Sequence, residues 1–213
     1  MDITVEGHVG SIITADGANQ EIRLSRDGSV VVTQSHSEFF EVASRNQLYT
    51  GCTAVGGVAH GTAFGATPAI ALACPINNPM ALVVNQAHFG YLSGTLGLGT
   101  WTWGQQAGVA ATGFVTTVQQ GRIYGNQLKG ASTGLFYSAT NLTNTATILR
   151  PSLSYGAFAG GAAMLTLLRD DVRGEFIVMP GATLVLQGVG TAGTSPLFIV
   201  ALDWYEVPVA QVS

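Results

Sequence analysis

Charged residues are scarce in this sequence, and acidic residues are missing from its middle. Asp, Glu, Lys and Arg together make up 9% of the 213 residues, whereas about 25% is usual for soluble proteins. No Asp or Glu occurs from Val42 to Leu168, and the only lysine is Lys129. Paired carboxylates would have to come from the two ends of the chain. Asp203 and Glu206, three apart on one predicted strand, point to opposite faces, and Asp170-Asp171 beside Arg169 and Arg173 indicate a solvated turn. A basic nucleic-acid-binding surface has too few residues to form. We therefore expect neither a carboxylate-based hydrolase nor direct nucleic-acid binding.

Long apolar runs are also missing. The best candidates, residues 69–74 and 80–84, are separated by Pro75 and Pro79, and both are much shorter than the roughly 20 residues of a membrane-spanning helix. The first residues lack the basic segment followed by an apolar segment that marks a secretory signal. We expect a protein that is made in the cytoplasm and does not enter a membrane.

Cysteine and histidine are too few, and wrongly spaced, to indicate a reactive or metal-binding motif. Cys52 and Cys74 form no CxxC pair, and reduced thiols are favoured over a bridge between them. The four histidines have no HxH or HExxH spacing; they are His8, His36, His60 and His88. A nucleophile made of Cys52 with His60 or His88 stays an alternative, but core or surface roles are favoured. We predict no enzymatic activity, no catalytic residue, no metal and no cofactor.

Trp101 and Trp103 are the remaining candidates for a binding site. They are two residues apart, so they lie on the same face of a predicted strand, where a pair of indole rings can stack on a sugar. No Asp or Glu is close in the sequence to bind sugar hydroxyls. Packing in the core or in an interface is therefore the favoured interpretation.

Apolar residues make up 47% of the chain, with 28 glycines, so an isolated monomer has little charge with which to cover its surface. The charges fall into three blocks. Residues 1–41 carry net −5, residues 42–168 carry +4 and residues 169–213 carry −3. An acidic arm and a mildly basic body can attract each other between neighbouring subunits. We expect protein partners to cover part of the surface, although scattered solvated charges are an equally good interpretation of the blocks.

The first 45 residues predict a small β-meander that acts as an arm. Asp16-Gly17 and Asp27-Gly28 separate short alternating or β-branched segments, and such Asp-Gly pairs favour tight hairpin turns. Three small strands are marginal alone. We therefore expect this arm to lean on the main domain or on a neighbouring subunit.

Residues 46–213 predict one all-β domain, because short apolar segments alternate with Gly, Pro, Asn and Thr. Many short strands with frequent turns indicate a β-sandwich or jelly roll, and we predict a jelly roll. The segments 162–168 and 197–206 are apolar on both faces, as expected for strands covered by a second sheet and by a partner. The predicted strands are 48–55, 69–74, 81–93, 100–103, 111–118, 121–124, 145–149, 162–168, 175–179, 183–188 and 197–206. Pro180-Gly181 predicts a turn from one strand into the next.

Several motifs resemble virion structural proteins of tailed bacteriophages, particularly cyanophage-like capsid cement or decoration proteins. The N-terminal motifs are Ile22-Arg-Leu-Ser-Arg-Asp-Gly-Ser-Val-Val-Val-Thr-Gln-Ser-His36 and Glu38-Phe-Phe-Glu41 with Arg45. The others are Cys74-Pro-Ile-Asn-Asn-Pro79, Phe176-Ile-Val-Met-Pro-Gly181, Leu184-Val-Leu186, Gly193-Thr-Ser-Pro196 and Trp204-Tyr-Glu-Val-Pro208. The resemblance covers the N-terminal arm and the final third of the chain.

The resemblance implies a trimeric jelly roll on the capsid surface of a virion, bound to the major capsid protein through its N-terminal arm. Its predicted work is to stabilise the phage head by joining neighbouring capsid subunits. We expect residues 1–41 to contact the shell and Asn46–Gly121 to supply the core and the trimer interface. The alternative is a tail, fibre or carbohydrate-binding adhesion module. The interaction residues that these hypotheses select are Arg23, Arg26, Glu38, Glu41, Trp101 and Trp103.

Overall fold

The computed structural model describes residues 47–211 except for 96, 107–119, 123–131, 139–141, 143–145, 157–167 and 192–195, and it also describes Ala43. The chain divides into two units, Met1–Phe40 and Glu41–Ser213, and the description concerns the second. The predicted N-terminal arm, apart from Ala43, and the predicted strand 111–118 lie outside the described residues.

The described residues form β-strands and one short 3-10 turn, Val209–Gln211. In chain order the strands are β1 (Leu48–Cys52), β2 (Val58–Ala59), β3 (Ile70–Ala73), β4 (Met80–Ser93), β5 (Gly99–Gln106), β6 (Gln120–Arg122), β7 (Leu135–Ser138), β8 (Thr147–Tyr155), β9 (Leu168–Asp171), β10 (Ile177–Val178), β11 (Thr183–Gly190) and β12 (Leu197–Pro208).

These strands make two antiparallel sheets that pack face to face. The seven-stranded sheet has the order β10-β4-β12-β1-β6, with β9 also beside β4 and β2 beside β12. The five-stranded sheet has the order β7-β3-β11-β5-β8. The predicted all-β sandwich is therefore confirmed.

Large aromatic side chains fill the space between the sheets. Trp101, Trp103 and Trp204 are fully buried. The Trp204 ring of the seven-stranded sheet stacks on Phe136 of the five-stranded sheet, with 6.0 Å between ring centroids and 4° between planes. Such rings bury far more apolar area than aliphatic side chains do, so a chain rich in glycine still obtains a well-filled core.

The five-stranded sheet is covered on its outer face as well. Gln187 holds a loop against this face, because its Nε2 donates to the Ala63 carbonyl at 3.1 Å and its Oε1 accepts from the Gly65 amide at 3.1 Å. The loop brings Phe64 onto a small second cluster of buried apolar residues. Burial on both faces explains why β3, with the sequence Ile-Ala-Leu-Ala, is apolar at every position.

The sequence predicted most of these strands. Ten predicted segments overlap observed strands, and of the described strands only the short β2 and β7 were not predicted. The predicted turn at Pro180-Gly181 is confirmed: the Ala182 amide donates to the Met179 carbonyl at 2.9 Å, and Gly181 has φ of 85°. Proline second and glycine third are the residues that a type II turn requires. Of the predicted strand 162–168, only Leu168 is described, and it begins β9.

Gly51 in β1 is a position where a methyl group should destabilise the fold. A Cβ atom there would lie 2.5 Å from the Phe136 ring, whereas one at Gly56 would meet nothing within 4 Å. We expect Gly51→Ala to lower the free energy of unfolding by about 1–3 kcal/mol through overpacking, measured by urea denaturation. Gly56→Ala is the matched control and should leave it within about 0.5 kcal/mol. Equal effects of the two substitutions would contradict the packing of Phe136 against β1.

Candidate functional site

A largely buried carboxylate, with 12% of its side chain exposed, joins the edges of the two sheets where β8 lies beside β9. Asp170 Oδ2 in β9 accepts hydrogen bonds from Ser152 Oγ at 2.6 Å, Trp103 Nε1 at 2.8 Å and Arg150 Nη1 at 3.1 Å. The three donors belong to β5 and β8 of the five-stranded sheet, and Asp170 belongs to the seven-stranded sheet. These four residues, the Asp170 cluster, close one side of the sandwich.

The Asp170 cluster holds its carboxylate in the charged form. Burial alone would raise the pKa of Asp170, but hydrogen bonds from Ser152, Trp103 and Arg150, with the Arg150 charge, outweigh burial and lower it. Our interpretation of Asp170-Asp171 as a solvated turn is therefore wrong for Asp170. The donors lie 18 to 67 residues away in the sequence, and no local pattern reveals such contacts.

A second buried carboxylate, Glu206 of β12, binds the segment that leads into β7. Its Oε1 accepts from Ser132 Oγ at 2.5 Å, the Thr133 amide at 2.7 Å and the Gly134 amide at 3.3 Å. The prediction that Asp203 and Glu206 lie on opposite faces of one strand is confirmed, since Glu206 points into the core while Asp203 contacts His88 on the outer face. Glu206 therefore holds the segment before β7 against β12.

An exposed apolar surface lies next to the Asp170 cluster. Ile148 and Leu149 at the start of β8 are 55% and 41% exposed, and Ile177 of β10 is 44% exposed. In the described part of the chain, β8 is the last strand of its sheet, so its outer edge has no neighbouring strand. We call Leu149, Phe176 and Ile177, which line one pocket, the β8–β10 surface. Apolar side chains grouped on a free edge are typical of a protein-binding site.

A pocket of about 180 Å³ lies within the β8–β10 surface. Its walls include Leu149, Phe176 and Ile177, and Glu175 lies at the same pocket. Glu175 receives a hydrogen bond from Arg150 Nε at 3.0 Å, and the Arg150 guanidinium lies 5.2 Å from the centre of the Phe176 ring. An apolar depression bordered by an ion pair can accept an apolar side chain of a partner and fix its orientation.

The outer face of the seven-stranded sheet is polar. His88 Nε2 and Asp203 Oδ2 are 2.9 Å apart, and Arg169 contacts Asp171 at 2.9 Å. Apolar residues of β12 alternate with these groups but stay only partly buried. Cover by a partner, predicted for segment 197–206, therefore remains a prediction.

The cysteines do not have the surroundings of a nucleophile. Cys52 and His88 lie opposite the same residue, Ala201, on the two strands that flank β12, which places their Cα atoms about 10 Å apart. Burial raises the pKa of the Cys52 thiol, the reverse of what activation requires. Cys74 is buried, and burial raises its pKa to about 11. Both cysteines are free thiols.

Of the six predicted interaction residues, two are buried in the core and four lie outside the described residues. Trp101 and Trp103 lie wholly inside the sandwich; Trp101 packs edge-on against Phe198 and Trp103 donates to Asp170. Neither indole ring has a face that a sugar or another chain can reach. The other four, Arg23, Arg26, Glu38 and Glu41, lie outside the described residues. The β8–β10 surface was not predicted, although the isolated pair Ile148-Leu149 between Thr147 and Arg150 is a visible signal.

Among the described residues, no group of three His, Cys, Asp or Glu residues is arranged to hold a metal ion. In the same part of the chain, no helix has the length and apolar character to cross a membrane.

No protein-family model, no curated protein and no solved structure matches this chain.

Removing the charge of Asp170 should destabilise the protein in a pH-dependent way. At pH 7 we expect Asp170→Asn to lower the free energy of unfolding by about 1.5–3 kcal/mol, the usual worth of hydrogen bonds to a charged group. Because the pKa of Asp170 is lowered in the folded state, this stabilisation is present above the ordinary carboxyl range near pH 4 and is lost as pH falls through it. Urea denaturation of both proteins at several pH values from 7 to 3 measures the difference between their free energies of unfolding, which should become smaller as the pH falls.

Glu175→Gln is the matched control, because Glu175 binds the same arginine but its side chain is 53% exposed, against 12% for Asp170. An exposed pair is worth about 0–1 kcal/mol, so this variant should change stability little. A pH-independent loss for Asp170→Asn, or an equal loss for Glu175→Gln, would contradict the charge-based account of the Asp170 cluster.

Proposed function

We propose that this protein is a structural subunit that acts by binding other copies of itself and a larger assembly. The observation that carries the proposal is the β8–β10 surface, where Leu149 and Ile177 stay exposed beside a pocket. Covering exposed apolar surface is the main favourable contribution to protein association. The low overall charge of the chain supports the same function.

The strand pairing supports the finer proposal that the sandwich is a jelly roll. Four antiparallel pairs are nested along the sequence, so that each pair encloses the next: β1·β12, β3·β11, β4·β9 and β5·β8. Nested pairing of this kind is that of one long hairpin folded into eight strands. The further pairs β4·β12 and β5·β11 divide this hairpin between two sheets, β1-β12-β4-β9 and β3-β11-β5-β8. Two interlocked four-stranded sheets of this kind define a jelly roll.

The proposed assembly is the head of a tailed bacteriophage, with the protein as a capsid cement or decoration subunit. The sequence motifs resemble such proteins, and jelly rolls recur among viral capsid proteins. A subunit that buries about 1,600 Å² at each contact, repeated over a shell, would resist the outward pressure of packaged DNA. In this proposal the β8–β10 surface joins copies into a homotrimer, and the acidic residues 1–41 contact the major capsid protein.

The location of the β8–β10 surface changes one sequence-based expectation. We expected the trimer interface within Asn46–Gly121, but the exposed edge strand with a pocket lies at residues 148–177. The alternative of a carbohydrate-binding module loses its candidate residues, because Trp101 and Trp103 are buried. A tail or fibre location would use the same kind of interface, and only the resemblance favours the head.

The first test concerns self-association. Light scattering after size exclusion should give about 66 kDa, three times the 22.0 kDa chain. The double variant Leu149→Asp/Ile177→Asp should give about 22 kDa with an unchanged circular dichroism spectrum, because two buried charges would oppose the interface. Val55→Asp is the control, since Val55 is exposed elsewhere, in the connection after β1, and should leave the mass at 66 kDa. A monomeric native protein would refute the trimer.

The second test concerns the shell. We expect native protein to co-sediment with expanded phage heads that lack it. Protein without residues 1–41 should stay in the supernatant, although light scattering should still show a trimer of the shortened chain. Unchanged co-sedimentation of the truncated protein would contradict the proposed role of the arm. Absence of binding by the native protein would contradict the capsid function itself.

A further inference from the structure

Three buried polar atoms gather around Phe198 without a hydrogen-bond partner among the described residues. They are His60 Nε2, Trp101 Nε1 and the Tyr155 hydroxyl. His60 is more than nine-tenths buried and Trp101 is fully buried. The rings of all three contact Phe198, with centroid separations of 6.1, 5.2 and 5.7 Å. Buried polar groups nearly always have a hydrogen-bond partner, so three atoms without one, on three rings that contact the same phenylalanine, require a physical explanation.

Glycines create room beside these atoms. Gly99 of β5 is paired with Gly190 of β11, and the side-chain positions of two directly opposed residues share one face of a sheet. The Tyr155 hydroxyl lies against the Cβ position of Gly99, and His60 Cε1 lies 3.1 Å from that of Gly190. The two polar groups therefore converge over the glycine pair, with their ring centroids 6.0 Å apart.

The indole of Trp101 borders the same space. Its Cε2, the atom bonded to Nε1, lies 3.2 Å from the Cβ position of Gly188, and His60 Cβ lies 2.7 Å from that position. A side chain at any of the three glycines would enter the space between these rings. The sequence pattern Gly-Val-Gly at 188–190, which has no phosphate-binding context, thus has a structural role here.

The hydrogen-bonding character of each atom follows from its surroundings. His60 Nδ1 lies 2.9 Å from the Gly61 carbonyl, which can only accept, so Nδ1 carries the proton and Nε2 of the neutral ring is an acceptor. Trp101 Nε1 is a donor. Burial raises the pKa of Tyr155 to about 12, so its hydroxyl keeps the proton and is also a donor. The cluster offers one acceptor and two donors.

We propose that these three groups form the binding site of one buried water molecule. Water accepts hydrogen bonds from Trp101 Nε1 and the Tyr155 hydroxyl and donates one to His60 Nε2. Three hydrogen bonds are the usual number for a buried water, and no apolar ligand could match the set. The water would join the β2–β3 connection to β5 and β8 and so hold one end of the sandwich together. This inference is independent of the proposed function.

Tyr155→Phe tests the site, because the unfolding equilibrium constant should rise if water is bound and fall if it is not. If water binds the hydroxyl, the variant loses a hydrogen bond, and its unfolding equilibrium constant should rise about fivefold. If the hydroxyl is truly unmatched, removing it relieves a desolvation penalty, and the constant should fall. Tyr205→Phe, on the partly exposed outer face of β12, is the matched control and should leave the constant within about twofold.

A crystal structure that resolves ordered water gives the direct test. We expect one solvent peak within about 3.2 Å of His60 Nε2, Trp101 Nε1 and the Tyr155 hydroxyl, and its loss or displacement in Tyr155→Phe. A site without solvent, with the three atoms bonded to protein groups, would overturn the proposal. A larger bound molecule would overturn it too, since the site would then take a ligand other than water.

Discussion

The fold depends on two buried carboxylates that join its sheets. Asp170 binds side chains of β5 and β8 across the sandwich, and Glu206 binds the backbone ahead of β7. Each carboxylate accepts three hydrogen bonds on one oxygen, which offsets the cost of removing a charge from water. Aromatic packing between the sheets is non-directional, whereas these bonds fix which strand edges face each other. The rest of the architecture, including the β8–β10 surface, is positioned by them.

The sequence predicted the parts of the fold that depend on local chemistry. Strands were visible as apolar segments between turn residues, and the turn at Pro180-Gly181 was visible because that conformation requires those two residues. Strand β7 was missed because its apolar run is only Leu135–Tyr137, whereas β3 lies in a run of six apolar residues, 69–74. The outcome for Trp101 and Trp103 followed the favoured interpretation of core packing, since a strand in the middle of a sheet presents its large residues to the core.

The candidate site was harder to predict, because its residues meet only through tertiary contacts. Asp170 looked like a solvated charge beside Arg169 and Arg173, yet its real partner is Arg150, 20 residues earlier. Likewise, His60 and Tyr155 share no motif and meet only because two glycines on neighbouring strands leave room. The spacing of residues in a sequence can identify a site whose residues all lie on one strand or helix. It does not detect clusters assembled from the edges of two sheets.

The geometry of β8 also argues for a closed assembly rather than an open fibre. A free apolar edge strand invites another strand to pair with it, and natural proteins prevent this with proline, bulges or charge. Strand β8 has Pro151, which lacks an amide proton, Arg150 at its centre, and two shifts of register against β5. These features oppose continued backbone pairing along the edge. In the proposed assembly, association through Leu149 and the neighbouring pocket would therefore use side chains, and side-chain complementarity favours a defined number of subunits.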